Sequence, residues 1–208
     1  MILSIESKDR RAIKTRAAIR SHFLDLLLQK NFNQITVKDI TAAANIGRGT
    51  FYLHYQDKYD LLDKVIEEGL TETLSNFQPV HYFSNGKIVP ERIIRFARSI
   101  FDYFQKNERF FRAMMFNEGI PNFRNRMQQR FIKKFQAEVQ GMILKNKETD
   151  QTTLEILPVF ISSGMIGLIG WWFQHHMCIS AEDMAGRIFM VMTRGPLQSM
   201  GFQIEHEQ

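Results

Sequence analysis

Apolar residues recur at helical spacing almost from one end of this chain to the other, and no stretch alternates apolar and polar residues between hairpin turns. That property excludes sheet-based folds and predicts an all-α protein. Ile19, Phe23, Leu26 and Leu27 share one face of a first helix, which the basic run Lys8 to Arg20 leads into. Asn31 follows as its stop, because asparagine tolerates the left-handed conformation that ends helices. Thr36 caps a short helix that turns Val37, Ile40 and Ala43 inward. Asn45-Ile46-Gly47 breaks the chain, Arg48 to Tyr55 resumes as helix, and Asp57 caps a longer helix carrying Leu61, Leu62, Val65, Ile66 and Leu70.

Residues 78–89, with Pro79, Asn85 and Gly86, read as an inter-domain loop. Pro90 opens the next helix at its favoured first-turn position, with Ile93, Ala97, Ile100 and Phe104 inward and an end near Asn107. A shorter helix spans about 108–118, and another runs from Pro121 to about Lys147. A further helix occupies roughly 153–177, and a last one, capped by Ser180 with Asp183, stops at Gly195-Pro196. Ile156 to Phe173 holds no charge, but only 12 of its 18 residues are apolar, and Pro158, two serines and three glycines interrupt it. A buried helix fits it better than a membrane span.

Charge is unevenly spread. Residues 1–60 carry ten Lys/Arg and six Asp/Glu, whereas 61–208 carry 17 and 16, so the excess of positive charge sits in the first third of the chain. An N-terminal module facing a polyanion would look like this, and so would a solvated basic surface. With 44% apolar residues over 208 positions, the chain has core enough for one or two modules and is not disordered. The one cysteine, Cys178, excludes an internal disulfide and a Cys-rich zinc site. The first twenty residues are charged and lack the apolar run of a secretory signal, which points to the cytoplasm.

Two short helices joined by a tight turn, beside a basic first helix, describe a helix-turn-helix, whose second helix enters the DNA major groove. That second helix would be Arg48-Gly49-Thr50-Phe51-Tyr52-Leu53-His54-Tyr55, anchored by the i,i+4 pair Phe51 and Tyr55. Arginine can bridge the two acceptors of guanine, and threonine offers a hydroxyl and a methyl. Lys58 opposes the dipole of the helix it opens, which suits a phosphate ligand better than a stabiliser.

The ordered set Ile19, Phe23, Leu26-Leu27, Asn31-Phe32, Thr36-Val37-Lys38-Asp39-Ile40, Ala44 through Tyr55 and Asp57-Lys58-Tyr59-Asp60-Leu61-Leu62 resembles the DNA-binding domain of the TetR family of repressors. The resemblance implies a helix-turn-helix domain over residues 9–69 and a helical ligand-binding and dimerisation domain over 78–208. It further implies a homodimer on a pseudo-palindromic double-stranded operator, weakened by a small-molecule effector. Carried over residue by residue, Thr36, Lys58 and His54 meet phosphates, Lys38, Arg48, Thr50 and Tyr52 approach bases, and Gly49 permits close approach of the backbone. Asn31 and Asn45 stand where the family usually has glycine, and both accept positive φ. Gly47 replaces the usual capping serine, at a cost of about 0.5 kcal/mol. Phe23 replaces a small residue and alters a packing gap.

Eleven phenylalanines lie between Phe77 and Phe135, with Met114, Met115 and Met127 among them. They read either as plain core or as the lining of a site for an apolar or aromatic effector. The candidates are Phe101, Phe104, Met115, Phe131, Phe135, Trp171 and His175. Residues 109–134 carry seven Lys/Arg against Glu118 alone, a solvated face or the basic rim of a site. Ser163, Gly167 and Gly170 form a stripe of small residues that lets another helix approach closely. In the TetR family the corresponding helix and the last one build the dimer's four-helix bundle, so the stripe fits an isologous interface, and packing within the chain would use it just as well.

His175 and His176 point about 100° apart on a helix and have no carboxylate nearby, so neither they nor Cys178 are read as metal ligands. No Walker loop, dinucleotide fingerprint, nucleophile elbow or zincin motif occurs. The expectation is a ligand-responsive DNA-binding regulator, a repressor without enzymatic activity, metal or cofactor. The competing expectation is a helical module that contacts protein or membrane without reading DNA sequence.

Overall fold

The computed structural model describes residues 2–77, 89–143 and 150–201. Among them there is no strand, and the protein is all-α. The order is α1 (Ile2–Gln29), a 3-10 turn (Phe32–Gln34), α2 (Val37–Ala43), α3 (Arg48–Tyr52), α4 (Lys58–Ser75) and α5 (Pro90–Lys106). Then come α6 (Glu108–Phe116), α7 (Phe123–Ile143), α8 (Gln151–Gln174) and α9 (Ala181–Ser199). The interrupted stretch 78–88 and the far end of the helix expected to reach Lys147 lie outside the described residues. Two compact units result: Met1–Glu72 with Glu108–Asn125, and Thr73–Asn107 with Arg126–Gln208.

In the first unit, Ile19, Phe23 and Leu27 of α1 are buried with Ile35, Ile40, Phe51, Leu61, Val65 and Ile66. Phe32 meets Phe23 and Tyr59 edge-on, with ring centroids 6.2 and 5.4 Å away. Each such ring, fully buried, is worth about 1.5–3 kcal/mol. Asn31 does not take the left-handed conformation expected of it. Its φ is −59°, and its side chain accepts a hydrogen bond from Asn33 N, so it caps the 3-10 turn instead of ending α1. Asn45 does stand at positive φ, 51°. On α2 the inward face is Ile40, Thr41 and Ala44, while Ala43 is exposed. The i,i+4 partner of Ile40 is Ala44, which the capping turn keeps on the same side.

The segment 108–125 is part of this unit. α6 buries Phe110, Phe111, Ala113, Met114 and Met115, and α1 packs on it. Arg109 donates to the carbonyl of Ser21 and pairs with Asp25 at 2.6 Å. Asn117 Nδ2 donates to Leu27 O and Lys30 O, each at 2.8 Å, while its Oδ1 accepts from Phe32 N at 3.0 Å. Gly119 follows, where a β-carbon would come within 3.0 Å of Phe32 N and Cβ.

In the second unit, α5 starts on Pro90, turns Ala97, Ile100, Phe101 and Phe104 inward, and lies against α9. Phe77 bridges Phe96, Phe104 and Phe131 with centroid distances of 6.4, 6.4 and 4.9 Å. Arg98 pairs with Glu182 at 3.2 Å. α8 is the one described helix long and apolar enough to cross a membrane, and it is a two-faced helix. Leu154, Pro158, Ile166, Ile169, Trp172 and Phe173 are buried, whereas Ile156, Val159, Phe160, Leu168 and Trp171 are exposed. The helix is therefore buried along one face only. α9 starts on Ser180, whose hydroxyl accepts from Asp183 N at 3.0 Å. Gly195, at φ 78° and ψ 162°, is non-helical and ends the main run where the sequence places its stop, and a separate short turn follows from Pro196 to Ser199.

Candidate nucleic-acid interface

Local hydrogen bonds shape the turn-containing segment. Thr36 Oγ1 accepts from Asp39 N at 3.2 Å, and Asp39 Oδ2 accepts from Thr36 N at 2.9 Å and from the Thr36 hydroxyl at 2.8 Å. This reciprocal cap fixes where α2 begins. The backbone N–H of Thr36, and then its hydroxyl, hold the Asp39 carboxyl below the usual carboxylate range. After Asn45, Gly47 at φ −70° and ψ 148° caps α3 without a side-chain bond.

α3 is five residues long, shorter than the sequence suggests, because Leu53 and His54 close it as a turn. Phe51 and Tyr55 anchor it: both are buried, with ring centroids 5.5 Å apart. Burial raises the Tyr55 hydroxyl pKa, so it stays protonated. Lys64 reaches back, donating to His54 O at 3.2 Å and to Asp60 Oδ2 at 2.9 Å. The Gln56 N–H, then Lys64, hold Asp60 below the usual carboxylate range. Asp57 Oδ1 accepts from Tyr59 N and Asp60 N, each at 2.8 Å, and so caps α4 as its position implies.

With its anchors buried, α3 leaves Arg48, Gly49 and Tyr52 exposed, and Thr50 and His54 half-buried. Arg48 Nη2 donates to Tyr52 Oη at 3.4 Å, and its guanidinium lies 5.8 Å from the Tyr52 ring centre. No atom comes within 4 Å of where a Gly49 β-carbon would stand, so the backbone there is open. Thr36 and Lys38 are exposed at the start of α2. Lys58 differs from the others. Its ammonium donates to Phe32 O at 3.1 Å, Asn33 O at 3.1 Å and Ile35 O at 2.9 Å. Sequence spacing carries no signal for these partners, more than twenty residues away.

The candidate effector residues are divided between the two units. Phe101 and Phe104 are buried in the second unit, and Phe131 and Phe135 are half-buried there. Trp171 and His175 stack on each other, centroids 4.4 Å apart, on the exposed side of α8. The tryptophan that reaches the core is Trp172, edge-on to Phe101 at 5.3 Å, with Nε1 donating to Ile179 O at 2.8 Å. Met115 is buried in the first unit. Of the small-residue stripe, Ser163 and Gly167 are exposed and Gly170 is buried.

Residues 24–65 match the family profile described as bacterial regulatory proteins, tetR family, and residues 91–194 match the one described as transcriptional regulator C-terminal region. The chain belongs to the TetR family. It is 42% identical over 69 residues to the HTH-type transcriptional regulator YxbF of Bacillus subtilis, covering 33% of this chain and 18% of that protein. It is 28% identical over 106 residues to the dhaKLM operon transcriptional activator DhaS of Lactococcus lactis, covering 49% of this chain and 57% of that one. The matched part thus spans less than two thirds of either relative, 18% of one and 57% of the other. Among solved structures, the regulator FadR of Bacillus subtilis in complex with stearoyl-CoA superposes with a TM-score of 0.68 at 11% identity, over 86% of this chain and 98% of that one. At that identity the likeness concerns the TetR fold.

Proposed function

We propose that this TetR-family protein is a cytoplasmic, ligand-responsive regulator that binds a pseudo-palindromic operator as a homodimer and represses until a small apolar or aromatic effector releases it. One observation carries the reading. α3 buries Phe51 and Tyr55 and leaves Arg48, Gly49 and Tyr52 open, with Thr36 and Lys38 exposed at the start of α2. Arg48, Thr50, Tyr52 and Lys38 are the candidates for base edges, and Thr36 and His54 for phosphates, with Gly49 admitting the backbone. The positive excess in the first sixty residues suits the same partner.

The dimer is assigned to the exposed sides of α8 and α9. Ile156, Val159, Phe160, Leu168 and Trp171 of α8 and Met190, Val191 and Met192 of α9 are exposed, apolar side chains that a partner's helices would cover. Ser163 and Gly167 lie on that side of α8. For the effector, the aromatic cluster of Phe77, Phe96, Phe101, Phe104 and Phe131 favours an apolar or aromatic compound. The stearoyl-CoA bound to FadR is consistent with an apolar effector moiety.

The test has two stages. Full-length protein is used to select binding sites from random duplexes, and metabolites are then screened for release of the selected site. The expected result is an inverted repeat whose half-sites lie about one helical turn, or a multiple, apart. An effector with a coupling of about 1–3 kcal/mol must then be weakened by operator DNA to the same extent. No enrichment, together with salt-insensitive partner binding, would favour the helical interaction module instead. Transcription in vitro from the selected site, with and without effector, separates repression from the activation for which DhaS is named.

A further inference from the structure

We propose that Asn117, in the turn after α6, is a positioning residue for DNA binding: its side-chain amide joins the end of α1 to the 3-10 turn that leads into the helix-turn-helix. The inference rests on the DNA-binding reading and adds to that machinery a residue far outside the segment 9–69 that carries the sequence motif. Asn117, α1 and the 3-10 turn all belong to the first compact unit. An amide side chain has two donors and an oxygen with two lone pairs. Here all four are used. Nδ2 donates to Leu27 O and Lys30 O, each at 2.8 Å, and Oδ1 accepts from Phe32 N at 3.0 Å and from Gly119 N at 3.1 Å. Turning the amide over would set its oxygen against two carbonyls and its NH2 group against two N–H donors, so the network fixes one orientation.

The place of these partners gives the contact its consequence. Leu27 lies in the last turn of α1, whose carbonyls find no N–H further along the helix. Asn117 supplies one from 90 positions away, and the same side chain holds Phe32, the first residue of the 3-10 turn. The exit of α1 and the entry to α2 are thereby tied to one point. Asn117 is itself held in its own turn, since its carbonyl accepts from Ile120 N at 2.9 Å. The backbone two residues on adds a steric match. A β-carbon on Gly119 would stand 2.6 Å from Asn31 Oδ1, 2.8 Å from Phe32 Cβ and 3.0 Å from Phe32 N, so residues 117–119 lie directly on residues 31–32. Without this seat α2 and α3 persist as local helices with their own caps, and their placement against α1 loosens. A protein whose helix-turn-helix is correctly placed for only a fraction of the time binds every duplex more weakly by that fraction.

The test uses the full-length protein with Asn117→Ala, Asn117→Asp and Gly119→Ala, and with Arg109→Ala as a control. Alanine at 117 removes all four bonds, and aspartate keeps the acceptors but turns an oxygen toward Leu27 O and Lys30 O. Arg109 also holds α6 on α1, through Ser21 O and Asp25, upstream of Leu27, so its loss lowers stability without touching the seat. The readouts are thermal unfolding, amide hydrogen exchange at Phe32, and binding to the selected operator and to a mixed-sequence duplex over a series of salt concentrations, at a temperature where every variant is folded. The expected result is that the Asn117 and Gly119 variants exchange the Phe32 N–H faster and bind both duplexes roughly tenfold more weakly, the equivalent of one lost hydrogen bond, with the wild-type salt slope. Arg109→Ala is expected to melt lower and bind as wild type does. The proposal is overturned if the Asn117 variants bind like wild type, or if Arg109→Ala weakens binding as much as they do, which would make the effect one of stability alone. Should the Asn117 variants fail to fold, Gly119→Ala decides by the same criteria. If wild-type protein binds no duplex, the DNA-binding reading fails, and Phe32 exchange still decides on the seat: faster exchange in the variants upholds it, and unchanged exchange overturns it.

Discussion

The ring of Phe110 lies over Gly69, filling the space that a β-carbon on that residue would need. A built β-carbon would stand 2.6 and 2.8 Å from the two Cε atoms of the ring. Phe110 cannot easily retreat, because it is buried and packs edge-on against Phe111 and Phe123, at 5.0 and 5.8 Å. In a free helix, alanine is favoured over glycine by about 1 kcal/mol. Overpacking here opposes that gain with about 1–3 kcal/mol. Gly69→Ala should therefore lower stability in urea unfolding. A rise in the midpoint would mean that the ring yields.

The contrast between near and distant partners explains what could be read in advance. Thr36 with Asp39, Asp57 with Asp60, and Ser180 with Asp183 are bonds across three residues, so their chemistry is visible in the order of the letters. Phe51 with Tyr55 spans one helical turn and was equally legible. Asn117 bonds Leu27, Lys30 and Phe32 across 85 to 90 positions, and no local pattern announces such partners. The same holds for Lys58, whose three carbonyls come from a turn on the other side of α2 and α3. Trp171 and Trp172 are neighbours in sequence and 100° apart on a helix, so composition cannot choose which is buried. Asn31 occupies a position where the family usually has glycine, and its side chain caps the following 3-10 turn, so no positive φ is needed there.

The reciprocal cap of α2 makes stability depend on pH in one direction. Asp39 has its carboxyl pKa lowered in the folded protein by the Thr36 N–H and hydroxyl. Its contribution is then fully present above the unfolded carboxylate value, about 4. It is lost as pH falls through the lower folded value. Asp39→Asn should destabilise the protein at neutral pH and flatten the acid limb of the stability curve below about pH 4. Urea midpoints for both proteins between neutral and acidic pH check this. Parallel acid limbs would mean that the Asp39 cap does not contribute.

Arg48 and Tyr52 stand one turn apart on the exposed side of α3, with the guanidinium held 5.8 Å from the phenol ring centre. The ring limits where the guanidinium can go and so favours one bidentate approach to a guanine. Arg48→Ala should cost about 1–3 kcal/mol on the selected operator and relax selectivity at one position per half-site. Tyr52→Phe removes the hydroxyl that accepts from Arg48 and leaves the ring, so its effect should be smaller and act at the same position. Titration of both variants against the operator and single-base variants tests the assignment. Equal weakening on operator and scrambled duplex would make Arg48 a phosphate contact instead.

Gly167 offers the sharpest test of the dimer, because no described residue outside its own helix backbone meets it. A β-carbon built there finds no atom within 4 Å, and the residue is exposed on α8 between Ser163 and Trp171. If a partner helix crosses closely at this point, leucine cannot be accommodated and the crossing should lose about 1–3 kcal/mol or more. If the surface is merely solvated, leucine replaces a helix-weakening glycine and should stabilise the protomer by up to about 1 kcal/mol. The two readings thus predict opposite results from one substitution. Gly167→Leu is expected to leave the helical circular dichroism intact, shift sedimentation from dimer toward monomer at micromolar concentration, and weaken operator binding with it. Gly164→Leu, also open within the chain, serves as a neighbouring probe of the same crossing. A Gly167→Leu protein that remains dimeric and binds operator normally would remove this stretch of α8 from the interface and leave α9, with exposed Met190, Val191 and Met192, as the surface to test next.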